Sequence, residues 1–312
     1  MRKFRLAFGL VILLCTARSP SLVASGNSVS KTTFLAATNP IDDVINARLA
    51  GGLIMVQARL NGQIGNYILD TGASHLFINQ DLVNEKTVHA YGVGNPTAVQ
   101  TGQVQRFEIG TVTFFDQPIY KMDMRHLEAI KGCQIAGIIG TNLLSSFSLF
   151  VDYKNGIVQL TRADQPDIQT SLTVLRTHPF KMQGHFPMLS VSVNEISYEF
   201  ALDTGAEANI FSEKFENELS LKTENLQSGK VWSIGASTTQ VRNFTLTEMK
   251  CLDLDYHSMG FMFSNLATLN HSYAVKLDGI LGYPFLRRHP FTIDFNKKEL
   301  TFWENENLTT HK

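Results

Sequence analysis

The order of apolar and polar positions along much of this chain has the two-residue period of half-buried strands. Ile54, Val56, Ala58 and Leu60 alternate with more polar neighbours, and Leu189, Val191 and Val193 alternate with Ser190, Ser192 and Asn194. Asn61-Gly62 is a hairpin-turn dipeptide and leads into a second strand, Asn66-Tyr67-Ile68-Leu69, that stops at Asp70. The counterpart further on is Tyr198-Glu199-Phe200-Ala201-Leu202, which stops at Asp203. Short helices are predicted at residues 79–84, 141–147, 212–219 and 284–289. Closing hairpins are predicted over 148–161, around Lys154-Asn155-Gly156, and over 291–303, around Asn296-Lys297-Lys298. The segment 162–171 between them is polar and holds Pro166, which marks a boundary between two lobes.

These two series of elements are one unit written twice. Asn61 and Asn194 are 133 positions apart, and so are Asp70-Thr71-Gly72-Ala73 and Asp203-Thr204-Gly205-Ala206. Gly137-Ile138-Ile139-Gly140 recurs as Gly279-Ile280-Leu281-Gly282 and Val151-Asp152-Tyr153 as Ile293-Asp294-Phe295, both at a spacing of 142. The nine-residue difference falls between the motifs, where insertions into loops are tolerated. A mainly β fold follows, with two homologous β-barrel-like lobes related by a pseudo-twofold axis.

Composition agrees with burial as the source of stability. The 312 residues are 44% apolar and 18% charged, with a net charge of −1 and three cysteines. That excludes a disordered chain, a strongly basic nucleic-acid binder and a disulfide-built scaffold. The charge is unevenly placed, however. Arg2, Lys3 and Arg5 precede the apolar run from Leu6 to Cys15, and small residues follow at Ala24 and Ser25. This is the pattern of an export signal, and the run is too short for a membrane span. The expected organisation is a signal over 1–25, a leader over 26–43, a first lobe over 44–161, a linker over 162–173, a second lobe over 174–306 and a tail over 307–312. Without the signal the chain carries a net charge of −5. The expected location is periplasmic or secreted, with no stable membrane insertion after cleavage. Cys133 and Cys251 then remain, as one disulfide or as two buried thiols.

A single Asp-Thr-Gly-Ala is a common turn after a strand. Two at equivalent places in a repeat are different, because a twofold arrangement brings the strand ends together at the axis. Carboxyl groups that close cannot both ionise, so they share a proton and leave an acid beside a base. Such a pair can activate water while protonating an amide carbonyl. Gly72 and Gly205 allow a sharp turn beneath the carboxylates, Thr71 and Thr204 can bond across the axis, and Ile138-Ile139 and Ile280-Leu281 would back the loops as buried strands.

At these residues the chain resembles the aspartic proteases, whose Asp-Thr-Gly loops and later hydrophobic-hydrophobic-Gly motifs recur in two lobes. The resemblance covers most of residues 50–303. It implies Asp70 and Asp203 as catalytic dyad of an endopeptidase, a cleft between the lobes, a water nucleophile, and neither metal, cofactor nor covalent intermediate. The implied partner is a peptide or unfolded protein, with one monomer supplying the whole site. A flap over the cleft is also implied, with Tyr91, Gly92 and Gly94 or Trp232 and Gly235 as its candidates. A competing class is a peptide-binding protein that keeps the cleft without turnover, although both Asp residues are present.

Three departures from the pepsin pattern stand out. Ala73 and Ala206 occupy the fourth motif position, where a hydroxyl could donate to the carboxylate and lower its pKa. Their presence points to a mildly acidic to near-neutral optimum. Residues 26–50 hold only Lys31 and Arg48 against Asp42 and Asp43, so no basic prosegment is evident. Glu207 follows the second Ala where the first copy has Ser74, either as a carboxylate that raises the dyad's pKa or as a solvated side chain. Elsewhere, His75 reads as an exposed loop residue and Arg287-Arg288 as a solvated helix end. Residues 259–263 read as a core strand, and the nine histidines show no metal-binding spacing.

Overall fold

The computed structural model describes residues 10–11, 47–79, 86–90, 97–162, 172–219, 223–233 and 238–305. The two copies fold into sheets with one strand order. In the first the order is Lys86–Ala90, Thr97–Ile109, Val112–Lys121, Leu76–Ile78, Gly137–Ile139, Gln63–Leu69, Leu53–Leu60 and Ala47–Ala50. In the second it is Thr223–Ser233, Thr238–Cys251, Leu254–Ser264, Ile210–Ser212, Gly279–Leu281, Ile196–Leu202, Phe186–Val193 and Lys181–Gln183, with Leu10–Val11 added beside Trp232–Ser233. Each sheet folds back on itself through one extra pairing, Ala58 with Ile109 and Val191 with Cys251. The molecule is therefore mainly β, in two sheet-rich lobes.

Local chemistry explains the matching hairpins. Asn61 and Gly62 take positive φ values of 48° and 87°, the combination that fits two-residue turns to the twist of paired strands. Asn194 and Glu195 do the same at 52° and 65°, so the second copy turns without glycine. The short helices after the Gly-x-x-Gly motifs form at Thr141–Leu144 and Tyr283–Leu286, and a 3-10 turn with a short helix spans 213–219. The helix predicted over 79–84 lies mostly outside the described residues. Helices Arg125–Lys131 and Ala267–Tyr273, which the sequence pattern did not announce, occupy equivalent places and bury Leu127 and Leu269. Residues 259–263 are core strand as expected, with Met259 and Phe261 buried. Among the described residues no helix is long and apolar enough to cross a membrane.

A third sheet joins the halves. The closing hairpins pair with each other, Val151 opposite Phe291 and Ser148 opposite Asp294, and Leu172–Pro179 adds to the strand Glu299–Asn305. One apolar core runs continuously through both lobes and this shared sheet, while two smaller cores, around Phe77 and Met124 and around Phe186 and Met262, belong to single lobes. The cysteine question is answered here. Cys133 and Cys251 are free, Cys133 resting its Sγ 3.7 Å from Met55 Sδ and Cys251 packing into the continuous core. No bridge forms, because each sulfur is committed to a different apolar cluster.

Candidate active site

Both acidic motifs sit where a strand ends beside a Gly-x-x-Gly strand. Ile68 and Leu69 pair in parallel with Ile138 and Ile139, and Ala201 and Leu202 with Ile280 and Leu281. All four residues of the two Gly-x-x-Gly interiors are fully buried. The amide of Asp70 donates to Ile139 O at 3.0 Å, and that of Asp203 to Leu281 O at 2.9 Å. Further along, the loops are pinned by Thr141 N donating to Ala73 O and Tyr283 N to Ala206 O, each at 2.8 Å. Gly140 and Gly282 are required for this packing. A Cβ on either would meet backbone oxygens of the acidic loops at 2.7 Å or less.

The loops lock to each other. Thr71 N donates to Thr204 Oγ1 at 3.1 Å and Thr204 N to Thr71 Oγ1 at 3.0 Å, while each hydroxyl donates to the opposite strand end, Thr71 to Leu202 O and Thr204 to Leu69 O, both at 2.8 Å. This lattice brings the carboxyl groups of Asp70 and Asp203 face to face. Each lies over the glycine of the other loop: a Cβ on Gly205 would come 2.3 Å from Asp70 Cγ, and one on Gly72 would come 2.5 Å from Asp203 Oδ2. Asp70 Oδ1 accepts from Gly72 N at 2.8 Å and Ala73 N at 3.0 Å, and Asp203 Oδ1 from Gly205 N at 2.8 Å. The Oδ2 atoms are buried without a conventional donor, yet the two carboxyl groups lie within bonding reach of each other.

Neither Asp exposes any surface, and burial drives both carboxyls above the ordinary carboxylate range. For Asp70 the neighbouring Asp203 charge adds to the rise, and the Gly72 and Ala73 amides oppose it. Tyr153, buried behind the site against Tyr283, is likewise raised, chiefly by burial and then by Asp203.

The asymmetric residues are placed differently from the sequence reading. Glu207 is neither solvated nor turned on the dyad. It forms a buried ion pair with Lys131 at the end of the first lobe's helix, the two side chains 8% and 7% exposed, and Lys131 also reaches Gly51 O. His75 is half-buried, not exposed, bonded to Ser74 Oγ at 2.7 Å and set edge-on to Tyr120, and burial lowers its pKa. Arg287 and Arg288 are exposed at a helix end as expected. Of the flap candidates, Tyr91, Gly92, Gly94 and Gly235 lie outside the described residues. The backbone of Trp232 pairs with Thr238 near the tip of a long hairpin, and Lys86–Ala90 and Thr97–Ile109 form the matching hairpin of the first lobe. His185, which has no metal-binding spacing to mark it in the sequence, reaches the Gly72 carbonyl of the first acidic loop. Its signal was the repeat itself, because the 133-residue spacing aligns it with Gly52, where no side chain exists. Among the described residues no cluster of three or more His, Cys, Asp or Glu could hold a metal ion.

Two lobes of equal topology and a face-to-face pair of Asp-Thr-Gly loops define a class of proteins, and the family comparison names it. An aspartyl protease family model matches residues 56–143 and 189–285, more than half of the chain, and each match contains one Asp-Thr-Gly-Ala and one Gly-x-x-Gly motif. The chain belongs to the aspartyl protease family. Comparison with curated proteins finds no match.

Proposed function

We propose that this protein is an exported endopeptidase in which Asp70 and Asp203 share one proton and cleave peptide bonds with a water molecule. The observation that carries this reading is the reciprocal seating of each carboxyl over the other loop's glycine, with both Oδ2 atoms buried and without a conventional donor. Two adjacent carboxylate oxygens repel unless a proton lies between them, and that proton makes one group an acid while the other stays a base. The base takes a proton from water as it attacks the scissile carbonyl, and the acid gives its proton to the carbonyl oxygen. As the gem-diol collapses, the carboxyl that took the proton from water passes it to the leaving amine while a diol hydroxyl gives its proton to the other carboxylate, so the C–N bond breaks and the dyad ends with the single proton it began with. The four-bond threonine lattice holds the geometry, and the dry backing keeps the carboxyls above their ordinary pKa.

The substrate class of this reading is an extended, unfolded segment of protein. The basic and apolar start of the chain supports export, and the presence of both halves in one chain supports action as a monomer. The test is to incubate the purified protein with an unfolded protein at mildly acidic pH and map the products by mass spectrometry. Internal cuts are expected. Peptide binding without cuts would replace this reading with the non-catalytic binder.

A further inference from the structure

The two acidic loops are alike in sequence, but among the described residues one receives a side chain that the other lacks. His185 lies in the turn between Lys181–Gln183 and Phe186–Val193, directly after Gly184, which has φ of +60°. Its ring packs on Phe186 with centroids 3.7 Å apart and stands edge-on to Tyr273 at 5.7 Å and 87°. Held so, it reaches out of the second lobe, and Nε2 lies 2.9 Å from the carbonyl oxygen of Gly72 in the first lobe's acidic loop. A carbonyl only accepts, so Nε2 carries the proton and donates it.

That carbonyl shares its amide with Ala73 N–H, which donates to Asp70 Oδ1 at 3.0 Å. Hydrogen bonds in series through one amide polarise each other, so a donor on the carbonyl makes the N–H a stronger donor to the carboxylate. We infer that His185 is a positioning residue that holds Asp70 through the Gly72–Ala73 amide and makes the two otherwise matched carboxyls unequal. In the twofold-related corner, position 52 is glycine at φ of +95°, so no side chain there can act on the Gly205–Ala206 amide. The corner is instead occupied by the ring of Tyr283 against Gly52 and by Lys131 with Glu207 at Gly51. An unequal dyad has a defined acid and a defined base before substrate arrives.

Among the described residues the titratable groups facing His185 are His75 and Tyr273. Burial lowers both histidines, His185 to about 4, so above pH 5 the imidazole is a neutral donor and a shifted titration reports the carboxyls.

The inference rests on the dyad reading, and its test separates the two. Asp carboxyl carbons labelled with carbon-13, assigned with Asp70→Asn, are titrated by NMR in the parent, His185→Phe and His185→Gln, alongside the pH profile of kcat/KM. His185→Phe keeps a ring but no donor, and His185→Gln restores an N–H. The Phe substitution is expected to raise the Asp70 titration and the acidic limb of the profile by about 0.5–1 pH unit, and the Gln substitution to return both most of the way. An Asp70 titration unchanged in His185→Phe would overturn the inference whatever happens to activity. A parent that cuts nothing would overturn the dyad reading, while the NMR titration still decides this one. Should His185→Phe not fold, His185→Met provides a second donor-free side chain for the same measurement.

Discussion

Thr71 and Thr204 bind each other's loops twice over: each backbone amide donates to the other's hydroxyl, and each hydroxyl donates to the strand end before the other's aspartate. All of these groups are buried, so removing one hydroxyl strands an amide and a carbonyl without a partner. Thr71→Val is expected to cost about 2–4 kcal/mol of stability in urea denaturation, and Thr71→Ser less than about 1 kcal/mol. A Thr71→Val loss no larger than that of Thr71→Ser would contradict the hydroxyl lattice as the source of the effect.

Gly72 and Gly205 are fixed by the opposite carboxyl, not by backbone conformation. A methyl group at 72 would sit 2.5 Å from Asp203 Oδ2, so Gly72→Ala must push the pair apart. Peptide cleavage is expected to fall on the order of 10²-fold, because displacements near 1 Å have that effect on positioned catalytic groups. A Gly72→Ala protein with parental kcat/KM would show that the carboxyls need not meet.

The lobes also meet through Lys131 and Glu207, whose side chains are 7% and 8% exposed. Losing one partner leaves a buried charge, so Lys131→Met is expected to destabilise by about 3–5 kcal/mol, whereas Lys131→Met combined with Glu207→Leu should recover most of that loss. Differential scanning calorimetry of the two variants checks this. A double variant no better than the single one would contradict a mutual pairing.

The dyad predicts a pH-dependent stability with a definite sign. Burial raises both carboxyls, Asp203 to about 6, above an unfolded value of about 4. Above the unfolded value the folded chain binds more protons than the unfolded one, so stability falls as pH rises through the Asp203 value and levels off only once Asp70, also raised, has lost its proton. Asparagine carries no charge at any pH. Asp203→Asn is therefore expected to be more stable than the parent at pH 7, by on the order of 1–3 kcal/mol, with the gap closing toward pH 4. Urea denaturation at the two pH values reads the difference, and a variant less stable than the parent at pH 7 would refute the buried repulsion.

Much of this arrangement is legible in the sequence because it is written twice. The spacings of 133 and 142 expose the acidic loops and the Gly-x-x-Gly strands, and the same spacing of 142 relates the helices at 125–131 and 267–273 that the pattern missed. Those helices are one buried leucine wide, too short for a helical period to appear. What the sequence hides are the features present once. Nothing local connects Lys131 with Glu207, 76 positions away, or His185 with Gly72, 113 positions away. Both contacts exist only because the twofold packing of the lobes brings opposite corners together. The state of the two cysteines is hidden for a related reason: their number permits a bridge, and only the division of the core into clusters shows Cys251 buried in one while the half-buried Cys133 packs against another.

The most direct measurement of the central claim is kcat/KM for cleavage of an unfolded peptide by the parent, Asp70→Asn and Asp203→Asn across the acidic to neutral range. A shared proton requires both groups. The account expects a parental optimum in mildly acidic to near-neutral conditions and a loss of at least about 10²-fold in each variant. Parental cleavage by either variant, or a parental optimum near pH 2, would contradict it.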